Sequence, residues 1–194
     1  MIWICFIFKK IHLMYDSYDD KKIQDYLKPK LGKIKQGYYT PTNKEKFDFD
    51  NRKIIYRSDW ELKFLIYCDN NKVVKKCLSE PFYIKYLNPI DGKVHRYFVD
   101  FYVEFANGKG VDKWLVEVKP KRHTQKPKKP KRKTAKGLKT FITMYKTYKI
   151  NIAKFIAASE FAAMHGMNFG VIEVVNNSLK VIDWKKNVLD GKNY

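Results

Sequence analysis

The sequence predicts an α/β fold, a small sandwich in which helices flank a central mixed β-sheet. Three observations support this class. An amphipathic helical pattern covers residues 56–71, three strand patterns follow between residues 80 and 119, and two helical patterns lead to a last strand at 169–175. The three consecutive strands are predicted to form an antiparallel meander, which the later strand joins.

The first predicted helix has a defined start and end. Ser58 can cap it, and Glu61 three residues later completes a capping box. Apolar residues then recur at helical spacing through Phe64 to Cys68, and the pair at 70–71, Asn-Asn, closes the helix.

Turn signals separate the three predicted strands. Residues 80–88 alternate apolar and polar side chains, and 88–92 contains the Asp-Gly pair typical of a hairpin turn. Residues 94–105 then form one long aromatic strand in this interpretation. After a second turn at 107–108, residues 113–119 form the third strand.

The C-terminal half begins with a basic tract, residues 119–139, in which three prolines exclude regular structure. Helical spacing resumes from about Thr134. Asn151 is expected to cap a second helix, which Gly166 ends.

The predicted organisation is one domain with appendages. Residues 1–53 form an irregular arm, residues 54–176 form the domain that carries the basic loop 119–139, and residues 177–194 form a tail in which Trp184 suggests packing. Within the arm, a short helix is predicted at 22–27.

The first 13 residues have two interpretations, which the sequence leaves open. They are an early strand or anchoring segment, or they are not translated because synthesis starts at Met14. Their apolar stretch is too short for a spanning helix, which needs about 20 residues, and they lack the features of a signal peptide. No membrane association is therefore expected.

The charge of the chain predicts a polyanionic partner. It has 40 Lys and Arg against 20 Asp and Glu, a net charge of +20, so nucleic acid is favoured over anionic membranes or acidic proteins. The three cysteines form no C-x-x-C pair and the four histidines are scattered, which argues against zinc and for a reducing compartment.

Two charged residues lie within the apolar strand at 113–119. Glu117 and Lys119 are two apart and share one face with Leu115, while the residues between them face the core. A hairpin can place Asp100 beside Glu117. Two adjacent carboxylates repel each other, and a hard cation such as Mg²⁺ would resolve that repulsion.

Each of these residues also has a structural interpretation. A Glu-x-Lys pair on a strand is commonly a surface salt bridge, and Glu61 can serve only the capping box. Asp100, however, is flanked by aromatic residues, where an unpaired charge is costly. The basic tract can be a solvated run, although it begins where the Glu-Lys pair ends.

Asp100 followed by Glu117-Val118-Lys119 resembles the D…(D/E)-x-K core of the PD-(D/E)XK nuclease superfamily, with Val99 in place of the usual proline. Four longer stretches resemble the head completion nucleases of contractile-tailed phages and, less closely, transposase endonuclease subunits. They lie at 36–47, 56–71, 79–104 and 115–127. The segment 151–173 is similar to that family's N-x-x-K-(W/F)-x-x-A helix and final strand, although Val171-Ile172-Glu173 departs from its usual Thr-Glu ending.

The resemblance implies a restriction-endonuclease-like core and a Mg²⁺-dependent DNA endonuclease, with Mn²⁺ as the alternative ion. It implies that Asp100 and Glu117 ligate the metal, that Lys119 is the catalytic lysine, and that Glu61 aids the metal or orders the site. Double-stranded DNA is the expected substrate, portal or head proteins are expected partners, and the phage head and host cytoplasm are the expected locations.

Nine basic residues are predicted to contact DNA phosphates, which gives affinity without a sequence code. They are Arg57, Lys121, Arg122, Lys126, Lys128, Lys129, Lys131, Arg132 and Lys133. Arg57 could instead pair with Glu61 at i, i+4. Two rival functions remain open: a non-enzymatic basic protein that seals the head or portal, and a repair, recombination or transposition nuclease with the same chemistry.

Overall fold

The computed structural model of the chain describes residues 36–47, 53–175 and 178–189. The described part is an α/β fold whose main sheet has five strands. The predicted class is therefore confirmed. The proposed helix at 22–27 and the first 13 residues lie outside the described residues.

Within the described ranges, the chain forms nine strands and three helices. They are β1 (Gly37–Tyr39), β2 (Ile54–Tyr56), α1 (Asp59–Asn70), β3 (Val74–Ser79), β4 (Tyr83–Leu87), β5 (Val94–Phe98), β6 (Phe101–Asn107), β7 (Gly110–Val118), α2 (Ala135–Met164), β8 (Asn168–Val175), β9 (Ser178–Ile182) and α3 (Trp184–Leu189). Single 3₁₀ turns lie at Lys44–Lys46 and Lys121–His123.

The main sheet is mixed. Its order is β3-β6-β7-β8-β9, with β7 and β8 parallel and the other neighbours antiparallel. Strands β1 and β2 form one separate antiparallel pair, and β4 and β5 form another. Since parallel neighbours need a long crossover, the basic loop and α2 together make that connection.

Helix α1 begins and ends as the capping signals predict. The Ser58 hydroxyl accepts a hydrogen bond from the backbone N–H of Glu61 at 3.2 Å, and the backbone N–H of Asn71 binds the carbonyl of Tyr67 at 3.0 Å. These contacts satisfy backbone groups that the helix itself leaves unpaired.

The prediction of a single strand at 94–105 is wrong, because the strand is interrupted at residues 99–100. Before the break, β5 pairs with β4, and after it β6 pairs with β3 and β7. The carbonyl of Asp100 accepts a hydrogen bond from the Glu80 N–H at 2.9 Å, which extends the register of β3 with β6 by one residue at the interruption.

The predicted meander also starts at a different strand. The antiparallel unit of the main sheet begins with β3, a strand that the sequence interpretation missed, and the segment 80–88 contributes the separate hairpin strand β4. Lysines at 75 and 76 disrupt the apolar alternation of β3, since it is buried at Val74, Cys77 and Leu78 only.

Helix α2 is continuous over 30 residues, so the expected break into two helices is wrong. Thr134 caps it by accepting a hydrogen bond from the Gly137 N–H at 3.1 Å. Asn151 caps nothing. Its side chain lies in mid-helix and donates from Nδ2 to the carbonyl of His123 at 3.2 Å. No helix-breaking residue precedes it, so the helix runs on until Gly166, whose φ is +64°.

The two helices cover opposite faces of the sheet. Val116 and Val118 pack with Phe64 of α1, and Leu115 packs with Ala158 of α2. The predicted alternation along β7 is therefore confirmed. Full burial of a large apolar side chain contributes about 1.5–3 kcal/mol, so these two layers hold β7 rigidly at the centre of the fold.

The segment after β8 adds to the sheet rather than forming a simple tail. Strand β9 pairs with β8, and Trp184 packs edge-on against Phe155 and Phe169 at ring distances of 5.6 and 5.9 Å. The packing expected for Trp184 is confirmed. None of the described helices has the length and apolar character needed to cross a membrane.

Candidate active site

The break between β5 and β6 places Asp100 beside the end of β7. Phe101 pairs with Val116, and the same register continued by one residue sets Asp100 opposite Glu117. The backbone N–H of Val118 donates to Asp100 Oδ2 at 2.9 Å. The sheet therefore aligns the two carboxylates through a backbone hydrogen bond, as the hairpin argument predicted.

The ammonium of Lys119 joins the two carboxylates. Its Nζ lies 3.3 Å from Asp100 Oδ2 and 2.9 Å from Glu117 Oε1. The backbone of Lys119 is also held, because its N–H donates to the carbonyl of Ile172 at 2.9 Å and so continues the pairing of β7 with β8. Three charged groups from two strand ends thus meet at one point.

Glu117 is 3% exposed and is fully engaged. While Lys119 contacts Oε1, the hydroxyl of Tyr97 donates to Oε2 at 2.5 Å. A buried carboxylate is costly unless it is paired and hydrogen-bonded, and both conditions are met here. Tyr97, on β5, is a site residue that sequence reasoning missed.

The electrostatics of the site follow from burial and crowding. Burial raises the pKa of Asp100 well above its usual range, and the Glu117 charge raises it further, while Lys119 lowers it. Burial lowers the pKa of Lys119, but the carboxylates of Asp100 and Glu117 outweigh burial and hold it above the ordinary value. Lys119 is therefore a charged ammonium at neutral pH.

Glu61 lies near this cluster, but its carboxylate oxygens accept hydrogen bonds from residues at the start of α1. Its Oε2 accepts a hydrogen bond from the Arg57 N–H at 2.7 Å, and its Oε1 accepts one from the Ser58 hydroxyl at 2.9 Å. The capping role is thus present. Its charge also helps to raise the pKa of Asp100, so Glu61 acts on the site electrostatically.

The side chain of Arg57 binds a different acid from the one expected. Its backbone N–H contacts Glu61, whereas its guanidinium donates to both oxygens of Glu80, at 2.6 and 3.0 Å. A DNA contact by Arg57 remains a prediction, and such a contact would have to compete with this ion pair.

Glu80 is the second residue that sequence reasoning missed. It ends β3 with φ +44°, a conformation that non-glycine residues rarely adopt, and its N–H holds the carbonyl of Asp100. Burial raises its pKa, and the Arg57 guanidinium lowers it. The sequence carries no signal for this conformation, because the residue before a proline, here Pro81, ordinarily takes an extended backbone with negative φ.

The basic loop starts at the site and continues into solvent. Its first residues form the 3₁₀ turn Lys121–His123, which Asn151 anchors, and Thr124 is buried. The exposed members of the predicted DNA-binding set are Arg122, Lys126, Lys128, Lys129, Lys131, Arg132 and Lys133. The loop therefore exposes most of its predicted DNA-binding residues to solvent, and their contact with DNA stays a prediction.

The donor set at the strand ends suits a hard divalent cation. Asp100 and Glu117 offer carboxylate oxygens that already converge on one cationic group, the Lys119 ammonium. Within the described ranges, no three His, Cys, Asp or Glu side chains are grouped to hold a metal ion, and a metal role for Glu61 stays a prediction. Two carboxylates suffice for Mg²⁺, which usually keeps several waters and takes phosphate oxygens.

Comparison with known proteins adds two findings. The family of TnsA-like endonuclease N-terminal domains matches residues 71–173, a span that contains Asp100, Glu117 and Lys119. A protein of Enterobacteria phage T4 named head completion nuclease is 32% identical over 149 residues, which is 77% of this chain and 96% of that protein. No solved structure matches the chain.

Proposed function

From the premise that this chain belongs to the TnsA-like endonuclease family and is a nuclease, we propose that it is a divalent-metal-dependent DNA endonuclease with little sequence specificity. One observation carries the proposal. Asp100, directly before β6, and Glu117, on β7, converge within 3.3 and 2.9 Å of the Lys119 ammonium, where the basic loop begins.

Asp100 and Glu117 would hold the metal ion, with Mg²⁺ as the expected ion and Mn²⁺ as the alternative. When bound, the ion supplies Lewis-acid chemistry, because it draws electron density from a phosphoryl oxygen and makes water more acidic. Burial raises the pKa of Asp100 most, and the neighbouring Glu117 charge raises it further; this second contribution supports the assignment, because a bound cation would relieve the repulsion between the two carboxylates.

The reaction is hydrolysis of a phosphodiester. A water oxygen forms a bond to phosphorus, the bond from phosphorus to one sugar oxygen breaks, and the proton released by water reaches that oxygen through solvent. Negative charge accumulates on the phosphoryl oxygens in the transition state. Lys119, held as an ammonium by its two carboxylates, offsets that charge and does not act as a base.

DNA binding is assigned to the exposed basic loop. Exposed Lys and Arg side chains bind the phosphate backbone and release counterions, which gives affinity for any sequence. The 11 Lys and Arg in residues 119–139, with no acid, support this role. Arg57 and Lys121 are included in the proposed DNA-binding set.

Phage head completion is the proposed biological setting. The similarity to the phage T4 head completion nuclease supports it. In this setting the protein would act on packaged or exposed DNA ends, with partners in the head or portal and a location in the virion and host cytoplasm. The family match also favours a second setting, transposition, for the same chemistry. Capsid and tail genes beside this one would favour the first setting over the second.

The test is cleavage of supercoiled plasmid with Mg²⁺ or Mn²⁺ by wild type, Asp100→Asn and Lys119→Met. We expect both variants to lose cleavage by about 10²-fold or more, because each removes charge at the reacting phosphate. Asp112→Asn, an exposed acid on β7, is the matched control and should cut normally.

Equal cleavage by wild type and Asp100→Asn would overturn the site assignment. Metal-independent DNA binding without any cutting would instead favour the non-enzymatic head-sealing protein.

A further inference from the structure

A second lysine reaches the site from helix α2. Lys154 is half-buried, one helical turn after Asn151, on the helix that packs across β7. Its Nζ lies 5.3 Å from the ring centroid of Tyr97 and 5.7 Å from that of Tyr86. Two tyrosine faces therefore hold this ammonium in a defined place.

Tyr97 links Lys154 to the carboxylate cluster. The face of its ring contacts the Lys154 ammonium, while its hydroxyl donates to Glu117 Oε2 at 2.5 Å. Tyr97 is 3% exposed, so this geometry is fixed by packing rather than by a mobile surface contact. Lys154 consequently lies one aromatic ring away from a proposed metal ligand.

The two lysines of the site differ in how their charge is balanced. Lys119 contacts two carboxylates directly, whereas Lys154, among the described residues, forms no salt bridge and lies over two tyrosine rings. Ring faces compensate a cation by only about 0.5–2 kcal/mol. Burial lowers the pKa of Lys154, although the Glu117 carboxylate acts in the opposite direction.

A phosphate that enters the site meets Asp100, Glu117 and the nearby Glu61. Their negative charge repels it, and the Lys119 ammonium, which offsets charge in the transition state, is at the same time paired with two of these carboxylates. A further cation, held beside them over tyrosine rings rather than in a direct ion pair among the described residues, would therefore be available to attract the phosphate in a partly desolvated place.

We propose that Lys154 is a second phosphate-contacting residue, whose ammonium binds a non-bridging oxygen of the phosphodiester that is cut, and that Tyr97 is its positioning residue. This inference rests on the proposed nuclease function. It adds a catalytic group from α2 to a site otherwise built from strand ends.

The experiment compares Lys154→Met and Lys154→Arg with Lys149→Met. Lys149 is the matched control, because it lies on the same helix with its Nζ 5.8 Å from the ring of Tyr145. Single-turnover DNA cleavage, DNA affinity in EDTA and the unfolding midpoint are measured for each protein.

We expect Lys154→Met to cut about 50-fold or more slowly than Lys149→Met, with DNA affinities within about 3-fold of each other, since each variant loses one positive charge. Lys154→Arg should recover most of the rate because it restores the cation. If Lys154→Met unfolds early, Lys154→Gln replaces it under the same criteria.

The outcomes separate the two proposals. If wild type cuts DNA and Lys154→Met cuts as fast as Lys149→Met, the inference about Lys154 is wrong and the nuclease assignment stands. If wild type does not cut with Mg²⁺ or Mn²⁺, the proposed function is wrong and the role of Lys154 is wrong with it.

Discussion

The guanidinium of Arg57 donates hydrogen bonds to both carboxylate oxygens of Glu80, at 2.6 and 3.0 Å, while the backbone N–H of the same arginine donates to the carboxylate of Glu61. Glu80 in turn binds the backbone of Asp100. One arginine therefore connects the start of α1, the end of β3 and the strand break that carries a proposed metal ligand.

Removal of Arg57 should destabilise the protein. Arg57→Ala leaves a mostly buried Glu80 without its cation, and breaking such a pair costs about 2–4 kcal/mol. The double variant Arg57→Ala/Glu80→Gln should regain a large part of this loss, because no charge is then left unpaired. Chemical denaturation measures the unfolding free energies. Purely additive losses would show that the two residues are not coupled.

Glu61 has two roles that different substitutions separate. Ser58→Ala weakens the helix cap and should cost about 1 kcal/mol of stability with little effect on cleavage at saturating DNA. Glu61→Gln keeps an amide oxygen for the cap but loses the charge, so cleavage should fall by about 10-fold or more. Thermal unfolding and single-turnover cleavage are measured together. Normal cleavage by Glu61→Gln would show that Glu61 serves only the capping box.

Asp69 should make stability depend on pH below about 4. Burial alone raises its pKa, but hydrogen bonds from the backbone N–H groups of Thr42 and Asn43 and from the side chains of Asn43 and Tyr39 lower it to about 2. The folded pKa is depressed, so the stabilisation is present above the ordinary value of 3.8 and is lost as pH falls towards 2.

Asp69→Asn should therefore lower the unfolding free energy by about 1–2 kcal/mol at pH 7, and the gap to wild type should close between about pH 4 and pH 2. Urea denaturation of both proteins across this pH range measures the difference in unfolding free energy. The other carboxylates are the same in both proteins, so their contributions cancel in that difference. A gap that stays constant with pH would contradict the ionic role of Asp69.

The basic loop should set DNA affinity and its salt dependence. Replacing four loop lysines by glutamine should weaken binding strongly and reduce the slope of log affinity against log salt by about 0.9 for each lost phosphate contact. The loop set is Lys128, Lys129, Lys131 and Lys133. The control set, exposed elsewhere, is Lys72, Lys75, Lys109 and Lys180. Equal slopes for the two quadruple variants would show that net charge alone, and not the loop, binds DNA.

Local patterns predicted the parts of the fold that depend on local chemistry. The cap at Ser58, the alternation along β7 and the proximity of Asp100 to Glu117 follow from helix capping, strand periodicity and hairpin register, and the structure has all three. These features need only residues that are near one another in sequence or across one hairpin.

The features that were missed depend on distant contacts. The strand break at Asp100 is stabilised by the backbone of Glu80, 20 residues earlier, and Asn151 binds a carbonyl of the basic loop instead of starting a helix. Tyr97 looks like an ordinary strand aromatic until the hairpin brings it to Glu117. Single-sequence periodicity carries no information on such pairings.

The parallel pairing of β7 with β8 has a consequence for how this protein can diversify. The crossover that this pairing requires begins after Lys119, whose backbone N–H donates to the carbonyl of Ile172. The crossover is fixed a second time at His123, whose carbonyl accepts a hydrogen bond from the Asn151 side chain. Beyond that point, doubling the length of a flexible loop costs only about 0.6 kcal/mol in closure entropy. Insertions there could retarget the enzyme to new nucleic-acid shapes while the cutting machinery stays unchanged.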